Sequence, residues 1–310
     1  MRVSVVIPTL NAGPSLAGLL ERLRAQQPCP PDEIVIVDSG SSDDTCQQAA
    51  AAGARIVKWN EPYNHGLVRD AGISAATGDI VFLTVQDALP AGSDWLARLA
   101  AHFEDQAVAG ATSRQIPPPA GPLELRIKSS LDTQSGAAPV RICLADHPGY
   151  AQYPPAQRLE LYRFDNVCAA LRRAVWEQIP FGACGYAEDL QWARRVLEAG
   201  HALIRDPAAP VIHAHSRGFI YEFRRALLDA QVLDEVFDYR YRWRDKLSRA
   251  QALVASGERA PVSAGLVARL AAARTYAAHA LARAAYNSYR VTLKPFGWGQ
   301  ETLRRITKGI

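Results

Sequence analysis

Four short stretches carry residue types at spacings that could do chemistry. In VDSGSSDDT (Val37–Thr45) an acid and small polar residues leave a strand and enter a helix. Asp38 could accept a hydrogen bond from the N–H of a base, and Gly40 permits a tight turn. Helix capping accounts for the same serines and aspartates equally well. In FLTVQDALP (Phe82–Pro90) an apolar run meets a polar turn that carries a single carboxylate, Asp87. Such a group is a hard oxygen ligand for Mg2+ or Mn2+, cations that keep waters and share the phosphates of a nucleotide. A turn or cap before GSDWLARL is the alternative. AEDLQWARRV sets Glu188 and Asp189 side by side at a helix start. One can act as general base while the other caps or binds substrate, and the helix dipole favours the ionised form. First-turn acids also stabilise a helix with no chemistry at all. Finally, HAHS puts His213 and His215 on one side of an extended segment, where one could ligate a metal or both could be structural. No GxGxxG follows the first strand, so a dinucleotide fingerprint is absent.

The elements that must position these residues alternate between two periods. Val3–Ile7, Glu33–Asp38, the RIVKW run and DIVFLTV are short apolar runs of buried-strand type. Between them lie helical patterns: Leu16, Leu19, Leu20 and Leu23 after Ser15, an Ala-rich stretch ending at Gly53, and a segment from about Leu67 to Thr77. This alternation predicts an α/β chain with a mostly parallel sheet flanked by helices, whose ligands sit beyond the carboxyl ends of the strands. The PTLN turn, Asp38 and Asp87 all fall at such ends. From Ile116 to Tyr162 the periodicity fails and prolines cluster. NVCAAL then reads as a strand, RRAVWEQI and EDLQWARRVLEAG as helices, and HALIRD and PVIHAH as short strands. Beyond Gly218 the chain is helical, Arg-rich and Ala-rich. The division expected is a catalytic domain over 1–218 and a helical C-terminal extension over 219–310.

The 310 residues suffice for a full core, and 48% apolar with 21% charged content excludes a disordered chain. A net charge of +4 suits an acidic substrate without calling for nucleic acid. Five cysteines with no CxxC pair point to free thiols in a reducing compartment. The N-terminal apolar run is too short for a signal peptide, and no run approaches the roughly 18 apolar residues of a spanning helix. A cytoplasmic protein is expected.

The order PTLN, VDSGSSDDT, an Arg-bearing helix, TGDIVFLTVQD, GYAEDLQWARRVLEAG and HAH resembles the family-2 glycosyltransferases over about the first 218 residues. That resemblance implies the GT-A fold, a nucleotide-sugar donor, a divalent cation (Mg or Mn) and transfer with inversion. A finer likeness is to bacterial rhamnosyltransferases. EPYNHGLVRDAG is similar to their segment reading Phe-Asn-His-Gly and then Thr-Arg-Asn, and FLTVQDALP to their Thr-Gln-Asp-Ala turn. Val85 stands where the usual acid-x-acid motif has its first acid and Asp87 where it has its second. The subgroup commonly replaces the first. The departures are Val85 for Thr, Asp70 for Asn and Tyr63 for Phe.

Roles follow from the resemblance. Pro8, Thr9, Asn11 and Asp38 would bind the nucleoside, and Arg69 the pyrimidine or diphosphate. Asn64, His65 and Gln86 would lie near the donor. Asp87 would hold the cation with His213 or His215, Asp189 would be the base, and Glu188 would help position substrate. The implied donor is dTDP-rhamnose, with UDP-glucose, UDP-galactose or a silent nucleotide-binding scaffold as alternatives. The implied acceptor is a glycan or polyprenyl-linked glycan of a surface polysaccharide, reached at the inner face of the cell membrane. DYRYRWRDK (238–246) alternates aromatic and basic residues that could touch headgroups or pack on the catalytic domain. An Ala-rich helix over 261–289 could pair with another subunit, giving a homo-oligomer.

Overall fold

A computed structural model describes residues 1–28, 30–118, 138–215, 217–239 and 277–289. Most of the DYRYRWRDK run, most of the PPPAGP run, Cys29 and the first part of the 261–289 helix lie outside the described residues. In chain order the elements are β1 (Val3–Thr9), α1 (Gly13–Arg24), β2 (Glu33–Asp38), α2 (Thr45–Ala51), β3 (Arg55–Lys58), α3 (His65–Ala75), β4 (Ile80–Thr84), β5 (Leu89–Pro90) and α4 (Trp95–Ala101). There follow β6 (Val108–Thr112), β7 (Gln115–Ile116), β8 (Val140–Cys143), α5 (Pro155–Leu161), β9 (Cys168–Arg172), α6 (Arg173–Trp176), α7 (Glu188–Glu198), β10 (Ala202–Arg205), β11 (Val211–Ile212) and α8 (Phe219–Phe237).

Eight strands form the main sheet in the order β3-β2-β1-β4-β9-β6-β10-β8. β1, β2, β3 and β4 run parallel, as do β6 and β10, while β9 runs antiparallel between β4 and β6 and β8 antiparallel at the edge. Because side chains alternate across a strand, one face carries Val5, Ile7, Ile34 and Ile36 against Leu16, Leu19 and Leu23 of α1 and Trp95 and Leu99 of α4. The opposite face meets α3. A Cβ added to Gly72 of α3 would lie 2.3 Å from Val6 and 2.7 Å from Val37, so a residue without one lets the helix reach the sheet.

Two expectations shift in the structure. α1 begins at Gly13 rather than at a Ser15 cap, and the Ser15 hydroxyl donates back to the Ala12 carbonyl at 2.5 Å. RRAVWEQI forms only the single turn α6: Arg172 still belongs to β9, and the helix ends at Trp176 with Glu177 as its cap. A second sheet, β5-β11-β7, was not foreseen.

Contacts divide the described residues into two compact units, one reaching His213 and one beginning at Ala214. The expected boundary at 218 therefore lies inside the second unit, at the Gly218 cap of α8. Within that unit Ala226 and Leu227 of α8 share a small core with Ala282, Tyr286 and Tyr289 of helix 277–289. Cys46, Cys143, Cys168 and Cys184 are free thiols. No helix among the described residues is long and apolar enough to cross a membrane.

Candidate active site

The ends of β1 and β2 lie in parallel register, Pro8 beside Val37 and Thr9 beside Asp38. Their loops are tied to each other. Asn11 adopts a left-handed φ of 49°, which an amide side chain tolerates better than most. Its side-chain carbonyl accepts from the Ser42 backbone at 2.9 Å, and its own N–H donates to Ser41 Oγ at 2.9 Å. Gln86, past β4, brackets the Leu10 peptide, accepting from its N–H at 2.8 Å and donating to its carbonyl at 3.3 Å. Asp38 is fully buried, and its Oδ2 accepts from Lys58 Nζ at 2.9 Å and from the Ser41 and Gly40 backbone at 3.2 and 3.3 Å. Burial works against its charge, but hydrogen bonds from Ser41 and Lys58 overcome it and hold the carboxyl at about 2. Thr9 Oγ1 makes a long contact to Oδ1, at 3.5 Å. Asp38, Asn11 and Gln86 thus tie together the loops that follow β1, β2 and β4.

The small sheet brings the cation candidates together. β11 pairs antiparallel with β5, Ile212 opposite Leu89, so the residue after β11, His213, arrives beside the Asp87 turn. His213 Nε2 lies 3.3 Å from Asp87 Oδ1. One ligand atom each from Asp87, His213 and His215 fall within 4.8 Å of one another. Val85 packs against the apolar core and offers no ligand atom. One carboxylate oxygen with two imidazole nitrogens fits a divalent cation, and the mixed donor set suits Mn2+ better than oxygen-seeking Mg2+.

The acids at the start of α7 are held from α3. Glu188 is buried, with Oε1 3.0 Å from Arg69 Nη1 and 3.0 Å from Asn166 Nδ2. Arg69 is buried too and also donates to the His65 carbonyl at 3.1 Å. Burial opposes the charge on Glu188, yet Arg69 and His65 bring its carboxyl below the usual range. Asp189 goes the other way. Burial, the Glu188 charge and Asp165 push it up to about 8, against one backbone N–H at 2.8 Å from Leu190. The loop ahead of the acids is clamped by the same segment. Asp70 accepts from Trp176 Nε1 at 2.6 Å and from the Phe181 and Gly182 N–H groups at 3.0 and 2.7 Å. Asn64 caps α3 through Leu67 and accepts from the Cys184 N–H at 3.0 Å.

The structure therefore gathers Asp87, His213 and His215 in one cluster and Glu188, Arg69 and His65 in another. Asn64 and Arg69, expected near the donor, hold the acid-bearing loop and Glu188. Asp165, Asn166 and Gln115 were missed. The first two precede β9, and because β9 is antiparallel its starting end lies beside the carboxyl ends of β4 and β6, Cys168 opposite Thr84 and Ala169 opposite Thr112. Strand direction was the signal, and FDNVCAAL alone does not carry it.

A mostly parallel sheet with an antiparallel strand set into it, flanked by helices, is the arrangement of a GT-A-type glycosyltransferase. The Glycosyl transferase family 2 model matches residues 4–178, more than half of the chain, and the chain belongs to that family. It is 28% identical to an O-antigen chain rhamnosyltransferase of Salmonella typhimurium, over 73% of this chain and 70% of that one. A second O-antigen chain rhamnosyltransferase, of Salmonella anatum, is 27% identical over 72% and 69%. Among solved structures, a mannosyltransferase from Pyrobaculum calidifontis in complex with GDP-Man and Mn2+ superposes with a TM-score of 0.55. It covers 99% of this chain and 83% of its own at 21% identity. A glucosyl-3-phosphoglycerate synthase from Mycobacterium tuberculosis in complex with Mg2+ and UDP gives 0.51, covering 70% and 72% at 20% identity.

Proposed function

We propose that this enzyme moves a rhamnosyl group from dTDP-rhamnose to a hydroxyl of a glycan or polyprenyl-linked glycan, with inversion, in O-antigen-type polysaccharide synthesis at the cytoplasmic face of the membrane. Asp189 takes the proton from the acceptor hydroxyl. The oxygen so freed attacks the anomeric carbon as the bond to the diphosphate oxygen breaks, and the nucleoside diphosphate departs. A carboxyl poised at about 8 is a stronger base than an ordinary aspartate, which matches it better to an alcohol. Arg69 keeps Glu188 charged, and that charge helps keep Asp189 basic. Asp87, His213 and His215 would hold the divalent cation, whose charge would stabilise the leaving diphosphate. Thr9, Asn11, Asp38 and Gln86 would line the nucleoside side.

The observation that carries this reading is the convergence of Asp87, His213 and His215 at the strand ends. The rhamnosyl donor is supported by the two Salmonella relatives. A panel of nucleotide sugars scored by thermal shift, with and without Mn2+, tests it, since a ligand bound only by the native state raises the unfolding temperature. dTDP-rhamnose with Mn2+ should give the largest shift. A shift no larger than that of UDP-glucose removes the donor, and donor hydrolysis absent under every metal condition removes catalysis.

A further inference from the structure

Gln115 and Asp165 form a chain of hydrogen bonds that ends on His213. We infer that this chain is a positioning device: it holds His213 with its proton on Nδ1 and presents Nε2 toward Asp87, ready to ligate a cation. The inference rests on the cation reading above and adds two residues that act through His213.

Backbone pairing sets the arrangement. β7 and β11 run parallel with Gln115 beside Val211, and the His213 N–H donates to the Ile116 carbonyl at 2.9 Å. Gln115 Oε1 lies 2.6 Å from His213 Nδ1, and Gln115 Nε2 donates to Asp165 Oδ2 at 2.6 Å. The other oxygen of Asp165 accepts from the Val167 N–H at 3.0 Å. What each group can do fixes the direction of the chain. A carboxylate only accepts, so the amide nitrogen is the end that faces Asp165. The amide oxygen is then left facing the ring, and it too only accepts. Nδ1 must therefore carry the proton. In a neutral imidazole the lone pair then sits on Nε2, the nitrogen that lies 3.3 Å from Asp87 Oδ1. Two electron-rich atoms so placed repel unless positive charge lies between them. A divalent cation held by Asp87 and His213 would supply that positive charge, and His215 belongs to the same cluster of candidate ligands. Hydrogen bonding to the far nitrogen of a ligating histidine orients the ring and raises its basicity.

Mn2+ binding, read by electron paramagnetic resonance of the free ion without nucleotide, tests this independently of the donor. Gln115→Leu should weaken Mn2+ binding about 10- to 100-fold, as loss of such an outer partner typically does. Its thermal midpoint should stay near that of the wild type. Gln115→Glu combined with Asp165→Asn exchanges acid and amide yet still offers Nδ1 an acceptor, and should bring affinity back to within a few-fold. For the wild type, nitrogen NMR of the histidine side chains should show His213 protonated on Nδ1. That readout needs no variant to fold. Wild-type affinity in Gln115→Leu, or a proton found on Nε2, overturns the inference. His213→Ala separates the two levels. If it leaves Mn2+ binding unchanged, the cation reading fails and the inference with it. If it weakens binding while Gln115→Leu does not, only the role of Gln115 and Asp165 fails.

Discussion

Asp38 at the end of β2 and Asp189 at the start of α7 are the same residue type in two corners of one unit, and they titrate at opposite extremes. Burial alone would raise both. At Asp38, hydrogen bonds from Ser41 and Lys58 outweigh it, and the carboxyl stays at about 2. At Asp189 the neighbours are Glu188 and Asp165, which add to burial and lift it to about 8. Depth does not assign the role. The supply of donors and the sign of the adjacent charge do: one acid becomes a fixed anion that organises loops, the other a group able to take a proton.

The comparison breaks most visibly at Asp189. Asp189→Asn should cut turnover about 10²- to 10⁴-fold, as loss of a general base does, with nucleotide binding retained. Only the deprotonated carboxylate accepts a proton, so wild-type turnover should climb with pH through about 8. Steady-state rates across that range check both statements, and a flat profile or an active Asp189→Asn enzyme would move the base elsewhere.

Arg69 sharpens the contrast from below. Arg69→Met should lower stability by about 3–5 kcal/mol, because it strands the buried Glu188 charge. Urea denaturation measures it. Unchanged stability with a raised KM for the donor would return Arg69 to the diphosphate.

The smallest effect is the acid limb of stability. The folded pKa of Asp38 lies below its unfolded value, so its contribution is present above the unfolded value of about 3.8 and lost as pH falls through about 2. That increment is about 2–3 kcal/mol, at ~1.4 kcal/mol per pKa unit. Asp189, raised when folded, contributes in the opposite sense: its share is full below about 3.8 and lost as pH rises through about 8. Asp38→Asn should flatten the fall of stability between about pH 4 and 2. A slope equal to that of the wild type would mean that Lys58 and the loop leave Asp38 unperturbed.

The parts of this molecule that could be read from sequence are those whose signal is local. EIVIVD is a strand of Glu33–Asp38 because a strand buried on both faces reads as an unbroken β-branched run, and EDLQWARRVLE is helical over Glu188–Glu198 because its acids, apolar spacing and following glycine agree. β5 and β7 have two residues each, too few for any period to show, and PVIHAH, though it reads as a strand, does not name them as its partners. The Gln115–His213 contact depends on their pairing and so was hidden. Arg69 was expected near the donor from its neighbours in EPYNHGLVRDAG. Its pairing with Glu188, 119 positions on, depends on how α3 packs beside the 181–187 loop, and no local pattern encodes that.

One contact of α3 bears on how such enzymes can diverge. A Cβ built on Gly66 would stand 2.1 Å from the carbonyl oxygen of Gly182, inside the loop that delivers Glu188 and Asp189. No side chain fits there unless that backbone retreats. Position 66 and the loop are therefore bound to drift together through descent. A related chain with a larger residue at the matching position must have rebuilt the approach of its acid pair, whereas one that keeps glycine can have inherited this geometry unchanged. That single position becomes a marker for sorting relatives by the lineage of this loop and its acid pair, independent of whatever sugar each has come to transfer.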